Sequence, residues 1–491
     1  MSVDEHDPGL EQIVVALAAA GEALPVPPPL PTARTTRRES IAAPSPDPCN
    51  AIVRHVRVVG DGQGPLAGLR VSLKDCVACA GIPMTGGSAA LEGFTPSGDA
   101  TVTRRLLDAG AEIVAITNMD DLAFSGAGDS SRYGPVLNPH DLSRLAGGSS
   151  GGAAASLHYD GIDVAIGTDQ GGSVRVPAAW CGVVGLKPTR GLVPYTGVAG
   201  MEPSLDHVGV LANDAATLGR VLLALAGPDG LDARHDPAAH AAFRVGAEES
   251  FTLAGRRAVV PTALLDGCDE PVRVAFDRDV ERLRSLGLRV ELTDWDPAGL
   301  GPVSTGLFVD GLAATLAGAE PQERPWLEYV RALQQGVRER RAQLSPSIEV
   351  TLRAAERIAQ TWPGEARSRA FVAARTLRGQ LDAVLEGADF VLNPTTPCLP
   401  FGPIDDPAEQ VARGWRVLAN TGFANVTGHP SISVPGTPVD GLPTGLMLTA
   451  RHGADIQLVG AARELSAVFT SGSPARPGGG TETREVKHEA S

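Results

Sequence analysis

The 491-residue chain is 43% hydrophobic, rich in glycine (58) and proline (39), poor in aromatic residues (4%), and carries a formal charge of −15. Such a composition describes a globular, turn-rich α/β protein. The acidic balance argues against a nucleic-acid or anionic-membrane surface, each of which needs clustered Lys and Arg, and points to a small neutral molecule as partner.

In chain order, Leu10, Ile13, Val14 and Leu17 recur at helical spacing and precede the proline-dense Pro25 to Pro31, so residues 1–60 read as a helical arm on a stiff linker. The acidic start, Met1 to Asp7, is the opposite of a basic signal leader, and no apolar run approaches the ~18 residues of a membrane span, which makes the cytoplasm the expected location. Residues 69–74 alternate as a strand does. Residues 101–109 carry a helical pattern and lead into a strand at 111–116, a βαβ-type arrangement that favours a mostly parallel, buried sheet. Between about 225 and 385 the character becomes helical, with a stripe at Val272, Phe276, Val280 and Leu283 ended by Gly287, followed by helices over 326–343, 347–361 and 365–386. Strands return at 388–392 and 430–435, and residues 471–491, without apolar period, read as a disordered tail.

Three clusters carry the chemistry: Leu73-Lys74-Asp75, the run Gly147 to Gly152, and Gly167-Thr168-Asp169-Gln170-Gly171-Gly172-Ser173-Val174-Arg175. Glycines before Ser173 let consecutive N–H groups converge beside its hydroxyl, the arrangement that holds a developing oxyanion. Ser149 lies in a glycine turn at the start of a helix. Its match to G-x-S-x-G lacks the buried strand that a nucleophile elbow needs, and no GK[ST] follows to make a phosphate loop. Lys74 ends an apolar strand, and Asp75, on the opposite face, is not its ion-pair partner. Each fragment has an ordinary alternative: a glycine turn for the serine loop, a solvated charge for the strand-end lysine. The catalytic alternative requires Lys74 to be buried and uncharged, so that it can act as a base.

The remaining reactive residues carry less. Cys76 and Cys79 have half-site spacing with no second Cys/His pair beside them, and the six scattered cysteines make no disulfide framework. None of the ten histidines has metal-ligand spacing; His207 and His429 read as structural or pocket-lining, and adjacent Asp120 and Asp121 as solvated or capping. No metal and no cofactor are expected.

Taken together, the three clusters and the continuation Val176 to Pro188 resemble the amidase signature family, densely over residues 60–225 and more loosely over 385–465. The resemblance implies an α/β/α fold with a large twisted mixed sheet covered by helices on both faces, a catalytic domain over 61–470, and a Ser-Ser-Lys triad. In it Ser173 is the nucleophile, Ser149 the bridging serine held through a cis peptide bond, and Lys74 the base. Gln170, Gly171, Gly172 and Ser173 then supply the oxyanion amides, with Ser149 beside them and Ser150, Asp169 and Arg175 in support. Residues 191–209 and 425–430 most resemble bacterial stand-alone amidases of aliphatic and aromatic carboxamides, some enantioselective and from nitrile-degrading pathways. That branch implies an N-terminal helical extension that contributes to a homodimer. Two alternatives remain: a glutamine-hydrolysing A subunit of a tRNA-dependent amidotransferase, and an inactive scaffold of the same fold.

Overall fold

The computed structural model describes residues 8–22, 29–44, 46–297, 300–317, 326–362 and 365–469. The expected tail at 471–491 and most of the proline run lie outside the described residues. The strands, in chain order, are β1 (Arg37–Ser40), β2 (Ile52–Val59), β3 (Arg70–Lys74), β4 (Glu112–Thr117), the hairpin β5 (Leu137–Asn138) and β6 (Asp141–Leu145), β7 (Val164–Asp169), β8 (Val184–Lys187), β9 (His207–Ala212), β10 (Arg257–Pro261), β11 (Arg289–Thr293), β12 (Phe390–Pro394), β13 (Ser431–Pro435) and β14 (Gly445–Thr449). All but the hairpin join one 12-stranded sheet of order β1-β2-β4-β3-β7-β9-β8-β13-β14-β12-β10-β11.

The sheet is mixed. It is parallel at β3–β4 and β3–β7 and at β10–β11 and β10–β12. It is antiparallel through its middle, where β7, β9, β8, β13 and β14 meet. The expectation of a mostly parallel sheet therefore holds only within β4-β3-β7 and β12-β10-β11, since the edge pairs β1–β2 and β2–β4 are antiparallel as well. The βαβ pattern at 69–116 is local, and nothing in it foretells that β8 and β9 return antiparallel between β7 and β13. Both faces of the middle strands are covered, since every residue of β7, β8 and β9 is buried. Such strands lose the alternation that marks a half-exposed strand.

Helices pack on this sheet: Gly151–Ser156 on β3 and β7, Arg175–Cys181 on β8 and β13, Ala215–Leu225 on β9, and Asp455–Phe469 on β13. The excursion holds the expected helices, Glu270–Ser285, Leu327–Arg340, Pro346–Thr361 and Ala366–Glu386, plus Leu300–Ala317. It is not wholly helical, because β10 and β11 form the far edge of the sheet. At the other edge, β1 and β2 lie inside the stretch read as arm and linker and pair with each other and with β4. Helix Pro8–Glu22 leaves Ile13, Val14 and Val15 more than half exposed. Among the described residues no helix is long and apolar enough to cross a membrane.

Candidate active site

Lys74 is the last residue of β3, whose parallel partner β7 runs alongside in the register Leu73↔Ile166. One residue further on β3 and two further on β7, the Lys74 side chain meets Thr168, and its Nζ lies 2.8 Å from Thr168 Oγ1 and 2.7 Å from Ser149 Oγ. The amine is wholly buried. Desolvation lowers its pKa, and nearby Cys76, Asp120, Asp169 and Asp206 act in the opposite direction without reversing the shift. Burial favours the neutral form, since an uncharged amine loses far less hydration than an ammonium. Neutral Nζ has two N–H groups and one lone pair, so it can donate to Thr168 and accept the proton of Ser149. Asp75 stands apart, accepting from the Thr85 and Gly87 amides at 3.1 and 3.3 Å.

Ser149 follows a cis Gly148–Ser149 peptide. A Cβ at Gly148 would overlap the Asp120 carboxylate. Asp120 is buried and accepts from the amides of Gly128 and Ser130 at 3.1 and 2.9 Å. Asp121 is buried too and accepts from the Ser345 amide at 2.7 Å. Of the two expected roles, solvated or capping, solvation is excluded by burial, and both carboxylates accept backbone amides of other loop segments. Ser150 Oγ donates to the Thr168 carbonyl at 3.1 Å and so fastens the serine loop to β7.

The run after β7 turns sharply at Gly172, whose φ of +149° suits glycine and whose Cβ position is occupied by the Thr421 hydroxyl. Among the described residues, the N–H groups of Gln170, Gly171, Gly172 and Ser173 donate to no protein acceptor, whereas the next one, of Val174, is held by Asp169 Oδ2 at 3.1 Å. Four amides are thus available at the mouth of a cavity. Behind them Arg175 grips Asp169 through Nε and Nη2 at 2.9 and 2.8 Å, both side chains fully buried. Asn425 closes the group, donating to Asp169 O at 2.9 Å and accepting from Arg175 Nη2 at 2.6 Å. Burial by itself would raise the Asp169 carboxyl, but the guanidinium and these donors hold it well below the usual carboxylate range.

Ser173 Oγ faces the cavity and makes no hydrogen bond among the described residues; the Ser149 hydroxyl meets Lys74, not Ser173. The cavity is lined beside Ser173 by Phe124, Phe308, Trp415 and Leu418. The three rings meet edge to face, with centroids 5.8 to 6.4 Å apart. None of the described lining residues carries a charge. Neither these walls nor Thr168 were among the expected site residues. Thr168 lay within a recognised run but had no role there, and Phe308 and Trp415 come from helices far along the chain with no motif around them.

The description "Amidase" is that of the family model matching residues 50–459. Among curated relatives, the A subunit of glutamyl-tRNA(Gln) amidotransferase from Haloarcula marismortui is 34% identical over 433 residues, 85% of this chain and 99% of that protein. An enantioselective amidase of Rhodococcus rhodochrous is 35% identical, covering 79% of this chain and 77% of its own. The crystal structure of the Thermotoga maritima counterpart, the A subunit of the same kind of amidotransferase, superposes with a TM-score of 0.69 at 26% identity, covering 85% of this chain and 87% of that one. A buried lysine at one serine, a second serine at a mouth of free amides, and a match running from β2 to the final described helix agree: the chain belongs to the amidase signature family and is a hydrolase acting on amide C–N bonds.

Proposed function

We propose that this protein hydrolyses small apolar carboxamides to the carboxylate and ammonia or an amine, with Ser173 as nucleophile, Ser149 as relay and Lys74 as base. The observation that carries the reading is the buried amine 2.7 Å from the Ser149 hydroxyl, next to a serine that opens onto an uncharged aromatic cavity. Ser173 Oγ attacks the carbonyl carbon as its proton passes to Ser149 and that of Ser149 to Lys74. The Ser149–Ser173 contact forms when substrate turns the Ser173 hydroxyl out of the cavity, as catalytic hydrogen bonds often tighten only in the complex. Amides at 170–173 hold the oxyanion, each donor contributing about 3–4 kcal/mol. The relay then runs backwards to protonate the departing nitrogen, and water hydrolyses the acyl-enzyme.

A second reading, glutamine hydrolysis as an amidotransferase A subunit, draws on the relatives, of which the Haloarcula protein is matched over 99% of its length. Cavity chemistry favours the first reading, because free glutamine carries a carboxylate and an ammonium that the described walls do not neutralise. Ammonia release by the isolated chain from phenylacetamide, benzamide, butyramide and L-glutamine separates the two. Aryl and aliphatic amides are expected to turn over and glutamine not; glutamine as best substrate would establish the amidotransferase reading. Phe308→Ala is expected to lower kcat/KM for the aryl amides roughly tenfold relative to butyramide. The six free cysteines support a reducing compartment such as the cytoplasm. The exposed Ile13, Val14 and Val15 of the arm support a homodimer.

A further inference from the structure

Outside the amidase site, Asp382 on helix Ala366–Glu386, His429 just before β13 and His452 in the turn after β14 bring three ligand atoms within 4.8 Å of one another. The two imidazole rings lie 4.2 Å apart between centroids, and His429 Nε2 is 3.0 Å from Asp382 Oδ1.

The hydrogen bonds around Thr427 suit one tautomer of His429. Thr427 Oγ–H donates to the Phe423 carbonyl at 2.9 Å, and a carbonyl can only accept, so the single hydroxyl proton is engaged. With that proton so placed, His429 Nδ1, 3.0 Å from the same oxygen, is the donor of the pair. His429 has no exposed surface. In the tautomer protonated on Nδ1, Nε2 turns a lone pair towards the Asp382 carboxylate oxygen. Among the described residues, His452 Nε2, also buried, has no hydrogen-bond partner. Three possible ligand atoms thus converge, one of them a buried ring nitrogen without a partner among the described residues.

We propose that Asp382, His429 and His452 form a binding site for a divalent transition-metal ion of the zinc type, with solvent completing the coordination. Two nitrogens and a carboxylate are a suitable zinc donor set, and bonds of about 2.0–2.1 Å separate tetrahedral ligands by ~3.3 Å, within the present spread. Thr427 acts as the outer-shell acceptor that fixes the imidazole tautomer, as metal-bound histidines ordinarily require. Arg378 approaches the other carboxylate oxygen, Oδ2, at 3.8 Å and leaves Oδ1 to the ion. Such an ion would tie helix Ala366–Glu386 to the ends of β13 and β14. None of its ligands lines the cavity at Ser173.

The test is calorimetric titration of the untagged, chelator-treated full chain with zinc chloride, repeated with cobalt(II) to read tetrahedral d–d absorption. The expected result is one ion per chain. Asp382→Asn and His452→Ala, at partly exposed positions, should each weaken uptake by more than the ~10–100-fold that loss of an outer-shell partner produces. His240→Ala, in the separate His235–His240 pair with centroids 5.4 Å apart, should leave it unchanged. Absence of stoichiometric uptake by the wild type, or uptake indifferent to both ligand variants, overturns the proposal. So does an NMR titration that finds His429 as an imidazolium sharing its proton with Asp382 in zinc-saturating buffer.

Discussion

Replacing Lys74 by methionine tests the catalytic reading where it is most exposed. The side chain is of similar length and apolar, so it fills the same dry slot without leaving a buried charge, while Ser149 and Thr168 lose partners at 2.7 and 2.8 Å. Removal of a positioned base lowers kcat by about 10²–10⁴-fold, or roughly 2.7–5.4 kcal/mol in the barrier. Stability should move the other way. The folded-state pKa of Lys74 is depressed below its usual 10.5, so below that value the unfolded chain holds a proton that the folded chain must release. Lys74 therefore opposes folding at neutral pH, and its penalty fades as pH rises towards the unfolded value. The variant should melt at or above the wild-type temperature near pH 7, offset by the two orphaned hydroxyls at about 1 kcal/mol each, with the gap changing in the wild type's favour at alkaline pH. Ammonia release from an apolar amide, followed from pH 6 to 10, supplies the kinetic half. Wild-type kcat/KM should climb with pH until Lys74 has lost its proton, and the variant should show a flat, low profile. A variant within tenfold of wild type, or one that keeps the same alkaline rise, would remove Lys74 from the mechanism.

Ser173→Ala should abolish turnover and fluorophosphonate labelling with an unchanged melting temperature; labelling at another serine would show the nucleophile to be misassigned. Asp169→Asn leaves the Arg175 guanidinium buried without its counter-charge, which should destabilise the fold by about 3–5 kcal/mol. Because the Asp169 pKa is depressed in the folded chain, that stabilisation is complete above the unfolded pKa of about 3.9 and is lost only as pH falls towards the folded value. The melting gap between variant and wild type should thus be constant from pH 5 to 8, and a gap that vanished at pH 6 would contradict the assignment. Deletion of residues 1–28 should convert a dimer to a monomer in sedimentation; a monomeric wild type would refute the role given to the arm.

Local pattern was enough for much of the catalytic part. Gly171, Gly172 and Ser173 are neighbours in the chain, so a turn presenting consecutive amides is a local event that glycine chemistry makes legible, and strand β3 ending at Lys74 is likewise visible in its alternation. Legibility ended where contacts became long-range. The middle strands β8 and β9 are buried on both faces and carry no alternation, and their antiparallel return could not be read from a βαβ segment upstream. Asp120 and Asp121 left solvation and capping both open because their partners, from Gly128 to Ser345, are set by loop packing.

The sequence alone therefore determined the family, because three locally written clusters carry it, and it named the residues that the proposed mechanism uses. Tertiary structure alone decided the Lys74 environment, its contact with Thr168 and the aromatic walls of Phe124, Phe308 and Trp415. It also decided the meeting of Asp382, His429 and His452. Burial and the convergence of distant segments are properties of the packed sheet and its helices, and a one-dimensional order of residues does not contain them.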